Sequence, residues 1–165
     1  MPNYAIWWLL EAGDEKRFQE KIDELALAFD APGFVPHITV ASRIDELDFC
    51  QSFCRHIATS VPAFSSQTLS IHHDNVWNRA LYLRAADSPP MKNAHSSCSA
   101  QLQRNDDAFY PHLSLLYVEP SDYKPACIDA VGDTLLTPFS IDRIAVFDTT
   151  HSVSEWHCVE ECRLA

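Results

Sequence analysis

Glycine is scarce in this chain, at 3 of 165 residues, and the scarcity is informative. Neither a Gly-rich loop wrapped around a nucleotide's phosphates nor the Gly-x-Gly-x-x-Gly turn of a dinucleotide-binding fold can be built here. A run of Lys and Arg is missing too. With 12 basic against 23 acidic residues and a formal net charge of -11, the chain lacks the clustered cations that displace counterions from a long phosphate backbone. Duplex nucleic acid is therefore not an expected partner; a small phosphorylated molecule is, and a short RNA end stays open. Long apolar runs are absent as well: Tyr4 to Leu10 is too short for a membrane span or a signal h-region, no basic region precedes it, and Glu11, Asp14 and Glu15 follow it. No membrane association, a cytoplasmic location and a monomer are the expectations. Among six Cys there is no Cys-x-x-Cys pair. Cys50 and Cys54 stand at helical spacing, Cys158 and Cys162 at strand spacing, so zinc is not expected and buried free thiols are.

What the chain does have is one pattern twice: Pro36-His37-Ile38-Thr39-Val40 and, 75 positions later, Pro111-His112-Leu113-Ser114-Leu115. Successive side chains of a strand point to opposite faces, so each His shares a face with the hydroxyl two residues on, while Ile38, Val40, Leu113 and Leu115 turn to a core. By template counting, two matches that both follow a Pro arise by accident on the order of once in a thousand such chains. The rival reading is two amphipathic strands with solvent-facing histidines. Side by side, the two strands bring two imidazoles and two hydroxyls into one cleft: two groups that exchange protons near neutral pH and two donors for phosphate oxygens. That set suits a phosphodiester.

Around these motifs the pattern alternates between strands and helices. Tyr4 to Leu10 reads as a strand and Asp14 to Phe29 as a helix with Phe18, Ile22, Leu25 and Phe29 on one face, ended by Ala31-Pro32-Gly33. His37 to Ala41 is the first motif strand and Glu46 to Ala58 a helix. Thr68 to His72 and Val76 to Ala85 read as strands joined by a turn at His73-Asp74-Asn75. Pro89-Pro90 opens a helix through Arg104, broken by Asn105-Asp106-Asp107. After the second motif come a short helix, Asp122 to Val131, and strands Phe139 to Asp148 and Glu155 to Leu164. The order strand, helix, motif strand occurs twice, which suggests an internal duplication; the residues by themselves give an α+β class and no finer architecture.

At these residues the chain resembles the two-histidine (2H) phosphoesterase superfamily, marked by a pair of His-x-Thr/Ser-x motifs, and looks most like its cyclic phosphodiesterase branch. Phe34-Val35-Pro36-His37-Ile38-Thr39-Val40-Ala41 and Tyr110-Pro111-His112-Leu113-Ser114-Leu115-Leu116-Tyr117 look like that branch's motif strands. Tyr4-Ala5-Ile6-Trp7 and Trp156-x-x-Val159-x-x-Cys162 also fit, whereas Cys50 to Arg104 matches weakly. The resemblance implies an α+β fold of two pseudo-twofold-related lobes, each an antiparallel sheet with outer helices and the cleft between them, with residues 1–165 forming a single bilobal domain. It implies metal-independent, cofactor-free hydrolysis of a small-molecule cyclic phosphate: a nucleoside 2',3'-cyclic phosphate to the 2'-phosphate, or ADP-ribose 1'',2''-cyclic phosphate to ADP-ribose 1''-phosphate. An RNA-end 2',3'-cyclic phosphodiesterase and a non-catalytic nucleotide-binding module are the alternatives.

By the same resemblance, His37, His112, Thr39 and Ser114 are catalytic, with the choice of acid and base open. Trp7 matches the family's strand-one Trp and is a candidate to stack on a base. Tyr117 lies three residues after Ser114, on the opposite face of a regular strand, and reaches the cleft only if that strand ends or bulges near Leu116; the resemblance favours a site role. Arg79 is a candidate phosphate contact. A Cys54–Cys162 bridge is also suggested by the resemblance. His72-His73-Asp74 falls at a predicted turn and is read as turn polarity rather than a metal site, and His56, His95, His151 and His157 have no assigned role.

Overall fold

The computed structural model describes residues 1–105 and 108–165, apart from the Cys127 side chain. It contains seven strands and four helices: β1 Tyr4–Leu10, α1 Ala12–Phe29, β2 His37–Ile44, α2 Leu47–Ser60, β3 Phe64–His72, β4 Leu81–Ala85, α3 Pro89–Gln101, β5 His112–Leu116, α4 Ala126–Val131, β6 Pro138–Asp148 and β7 His157–Arg163. All the strand pairings are antiparallel. The strands lie in the order β2-β1-β6-β3-β4-β5, with β7 added to β6.

That order has the symmetry that an internal duplication would leave. Exchanging β1 with β4, β2 with β5 and β3 with β6 turns it into its own reverse, the topology expected of two halves related by a twofold. The motif strands β2 and β5 are the two ends of the path, yet they touch, so the sheet curls until its ends meet. The halves also interlock: α1 packs on β5 and α3 packs on β2. The helix of each half thus lies under the motif strand of the other.

β1 is a central strand with β2 on one side and β6 on the other, and its seven residues are nearly all apolar and buried because both of its faces are covered. One face, with Ile6, Trp8 and Leu10, joins the main core beneath the helices: Phe18, Ile22 and Leu25 from α1, Cys50, Phe53 and Cys54 from α2, Met91 and Cys98 from α3. The opposite face, with Ala5, Trp7 and Leu9, forms a second cluster with Ala145 and Phe147. This smaller cluster lies on the face shared by His37 and Thr39.

As an edge strand, β2 would leave backbone acceptors open. α3 and its C-terminal tail cover them: His95 Nδ1 donates to the Val40 carbonyl at 2.9 Å, and the Arg104 guanidinium donates to the carbonyls of Ser42, at 2.7 Å, and Arg43. His95 therefore has a structural role.

Several element boundaries differ from those read in the sequence. Val76 to Ala85 is not one strand, because Trp77–Arg79 forms a 3-10 turn before β4 starts at Leu81; the Arg79–Asp74 ion pair at 3.2 Å closes this turn. α1 starts two residues before the expected Asp14, at Ala12, and ends at Phe29 as read, on a left-handed Asp30, φ 50°, Asp being tolerant of that conformation. α4 starts after Pro125 and not at Asp122, since the residue before a proline is steered away from helix. α3 stops at Gln101, freeing Arg104 to reach β2. Val153–Glu155 is a 3-10 turn held by a Ser152/Glu155 capping box, which delays β7 to His157. The expected break at Asn105-Asp106-Asp107 lies partly outside the described residues. Cys54 and Cys162, like Cys50 and Cys158, are free thiols, so the suggested bridge is not formed. Among the described residues no helix is long and apolar enough to cross a membrane.

Candidate active site

Both histidines sit at the first position of their strands, and both are fixed by the same local hydrogen bond. His37 Nδ1 donates to the carbonyl of Val35 at 2.6 Å, and His112 Nδ1 donates to that of Tyr110 at 3.0 Å. Each acceptor lies two residues back, before the motif proline, where proline sterics hold the backbone extended. The repeated Pro thereby presets the carbonyl that selects the imidazole tautomer, leaving Nε2 of each neutral ring with its lone pair.

His37, Thr39, His112 and Ser114 line one cleft of about 330 Å³, together with Ser42, Arg43, Val76, Asn78, Arg79 and Tyr117. A second chamber of about 460 Å³ shares His37, Thr39, Ser42, Arg43, Asn78 and Tyr117 with it and adds Trp7, Trp77, Trp156, Thr149 and His151. A larger groove, about 510 Å³, lies away from both between α1 and the β6–β7 edge. Its arginines are already bound, Arg143 to Glu15 and Asp142 and Arg163 to Asp142, and it holds neither imidazole nor hydroxyl.

The two imidazoles differ in their surroundings. His37 is 6% exposed, stacked on Trp7 at 3.6 Å and 10°, with the edge of Phe34 nearby. Burial pushes its pKa down to about 4, assisted by the neighbouring His112 and opposed by the Val35 carbonyl. His112 lies beside Tyr82 and Tyr110. Its pKa is also lowered, first by burial and then by Arg79 and Arg84, while the Tyr110 carbonyl and the Asp74 carboxylate hold it up. Asp74 is itself fixed by Arg79 and by the Tyr82 hydroxyl, which donates to it at 3.1 Å.

The hydroxyls differ as well. Thr39 makes no side-chain hydrogen bond among the described residues, so its proton is available to a ligand. Ser114 is buried and donates to the Asn78 carbonyl at 3.0 Å, a bond it must exchange to serve a phosphate oxygen.

Tyr117 lines both chambers because β5 ends at Leu116, releasing the chain from strand alternation. Its ring stacks on Phe34 at 3.8 Å, and burial raises its pKa. Arg79 is in the cleft, paired to Asp74. Trp7 is 3% exposed and stacked on Phe147 as well as on His37, so it is first of all the platform under an imidazole. The more open rings are Trp77, 40% exposed, and Trp156; both lie near Tyr117. Sequence reasoning missed the wall they make, though Trp156 stands within the C-terminal segment of the resemblance. His72 and His73 are engaged with Ser70 and the Ala80 carbonyl. Among the described residues no three His, Cys, Asp or Glu side chains gather as a metal-binding group.

No protein-family model matches the chain. A cyclic phosphodiesterase of Arabidopsis thaliana is 25% identical over 173 residues, covering 98% of this chain and 94% of that protein. Among solved structures, TT0787 of Thermus thermophilus superposes with a TM-score of 0.66 at 13% identity, over 99% of this chain and 98% of that one. E. coli LigT complexed with ATP does so with a TM-score of 0.64, also at 13% identity and over 99% and 98%. The chain thus carries a pair of His-x-hydroxyl strands that meet in one cleft, shares its fold over nearly its full length with LigT and TT0787, and is similar over nearly its full length to a cyclic phosphodiesterase.

Proposed function

We propose that this protein hydrolyses small cyclic phosphodiesters, with His37 as general base and His112 as general acid. The observation that carries the reading is the convergence in one cleft of two imidazoles with the same fixed tautomer and two hydroxyls. Opening a cyclic phosphodiester requires water to lose a proton as it attacks phosphorus, the P–O bond opposite to break, and the departing alkoxide to gain a proton. His37, kept neutral by burial, takes the proton from water through Nε2. His112, more open and held up by Asp74, gives one to the leaving oxygen. Thr39 and Ser114 donate to the non-bridging oxygens as charge builds there, and Arg79 supplies positive charge from the same wall.

The substrate class follows from size and charge. The cleft and its aromatic annex accommodate a nucleotide, and a net charge of -11 offers no path for a long phosphate backbone. LigT, which shares the fold, is known complexed with 3'-AMP and with ATP, consistent with ligands of this size. We assign the reaction to nucleoside 2',3'-cyclic phosphates, giving the 2'-phosphate, and to ADP-ribose 1'',2''-cyclic phosphate, giving the 1''-phosphate. A phosphorus NMR screen of these two substrates and an oligonucleotide 2',3'-cyclic end, with and without excess EDTA, tests this. Turnover of the small substrates that is insensitive to EDTA is expected, with little gain as the oligonucleotide is lengthened beyond a dinucleotide. A chelator-sensitive rate, or a large gain with chain length that salt erases, overturns it.

A further inference from the structure

In a chain with nearly twice as many acids as bases, the arginines find partners readily. Arg17, Arg55, Arg79, Arg84, Arg143 and Arg163 each pair with a carboxylate, and Arg104 is used on β2 carbonyls. Arg43 alone has neither an ion pair nor a side-chain hydrogen bond among the described residues. It is also the arginine with a left-handed backbone, φ 56°, a conformation that costs a residue bearing a Cβ and favours glycine.

The strain has a local origin. Between the pairs Tyr4–Ile44 and Ile6–Ala41, β1 advances two residues and β2 three, so β2 carries a bulge at Ser42 and Arg43. Bulges re-aim side chains and occur often beside active sites. Here Arg104 braces the bulge by binding both of its carbonyls. The outcome is an exposed, unpaired guanidinium on the boundary between the two chambers, lining both the His/His cleft and the aromatic annex.

We propose that Arg43 is the binding residue for a second phosphate of the substrate, so that the site selects cyclic phosphates of nucleotides carrying a further phosphate beyond the scissile one. This deepens the hydrolase reading and rests on it. A planar guanidinium with no internal partner binds phosphate oxygens in pairs without first breaking an ion pair. Its place on the boundary of the chambers lets it meet a second phosphate of a nucleotide whose reacting centre lies in the cleft and whose ring lies in the annex. Arg104 is then a positioning residue.

A matched pair of substrates tests the idea: adenosine 2',3'-cyclic phosphate and the same molecule bearing a 5'-phosphate. The wild type is expected to favour the doubly phosphorylated form at least tenfold in kcat/KM, through KM. Arg43→Gln should bring that ratio close to one, Arg43→Lys should keep part of it, and Arg104→Gln should lower it less than Arg43→Gln. Arg43→Gly should abolish the preference while leaving the melting temperature equal or higher, because glycine relieves the left-handed strain. No preference in the wild type, a ratio unchanged in Arg43→Gln, or an equal loss on both substrates would overturn the proposal. If the wild type opens neither substrate, the hydrolase reading fails; calorimetry then judges Arg43 by itself. Adenosine 3',5'-bisphosphate should bind at least tenfold tighter than 3'-AMP, an advantage that Arg43→Gln removes; equal affinities sink the proposal.

Discussion

The walls around His37 and His112 are built from equivalent strands, yet they make two different electrostatic environments. Across β2, the β1 residues in register with His37 and Thr39 are Leu9 and Trp7. Across β5, the β4 residues in register with His112 and Ser114 are Arg84 and Tyr82. The internal twofold therefore exchanges Leu9 for Arg84 and Trp7 for Tyr82. One imidazole rests on stacked rings and the other beside phenols, two arginines and a carboxylate. A duplicated motif thus acquires unequal proton affinities from its neighbours while its own residues stay alike, which is how pairs of titratable groups are commonly given separate acid and base roles.

The largest effect that can test this difference is on the rate. His37→Ala and His112→Ala should each lower kcat/KM by about 10²–10⁴, and the double variant should lose little more, because the pair acts as a unit. A p-nitrophenyl phosphodiester separates the two roles. Its leaving group departs unprotonated, so His112→Ala should recover most of its loss on that substrate and His37→Ala should not. The opposite pattern would reverse the assignment.

Stability gives the next effect. Unfolded, His37 titrates near 6.5 and folded at about 4, so above pH 6.5 both states are neutral and the group contributes nothing to the pH dependence. As pH falls from 6.5 toward 4 the unfolded chain takes the proton first, removing on the order of 3 kcal/mol. Urea titrations of the wild type and His37→Asn at pH 7 and pH 4.5 should show the variant losing distinctly less; parallel losses would mean His37 is not buried as described.

The pH profile sharpens the comparison further. With both histidines lowered, kcat/KM should trace a bell whose two limbs, macroscopic constants of the pair, lie below the ordinary histidine range, giving an acidic optimum in the free enzyme. The smallest effect is that of Asp74→Asn. Removing the carboxylate that supports the His112 cation should shift the basic limb to lower pH and leave the acidic limb near 4 in place. A shift of both limbs together would show that the two environments are not separate.

Much of this architecture is legible in the residues. The bounds of β1 and the repeated strand-helix-motif order follow from hydrophobic period, and the shared face of His and hydroxyl follows from strand alternation, both local properties. Parity poses the question of Tyr117, but only the end of β5 answers it. The Trp77–Arg79 turn reads as strand because its closing ion pair joins residues five apart, which no alternation pattern encodes. Trp7 matches a motif and reads as a stacking surface, whereas its burial depends on Phe147, brought beside it by a strand 140 residues later and invisible to any local window.

The sequence by itself determined that two histidines and two hydroxyls share strand faces, and made a phosphate of modest size the expected ligand, because side-chain direction and net charge are set by order and composition alone. The tertiary structure decided which imidazole is the more deeply buried, which hydroxyl is free, and which arginine is left without a side-chain partner among the described residues. Those properties are differences in solvation and pairing, and they arise only when β1, β4 and α3, distant from the motifs in sequence, are laid against them by the curl of the sheet.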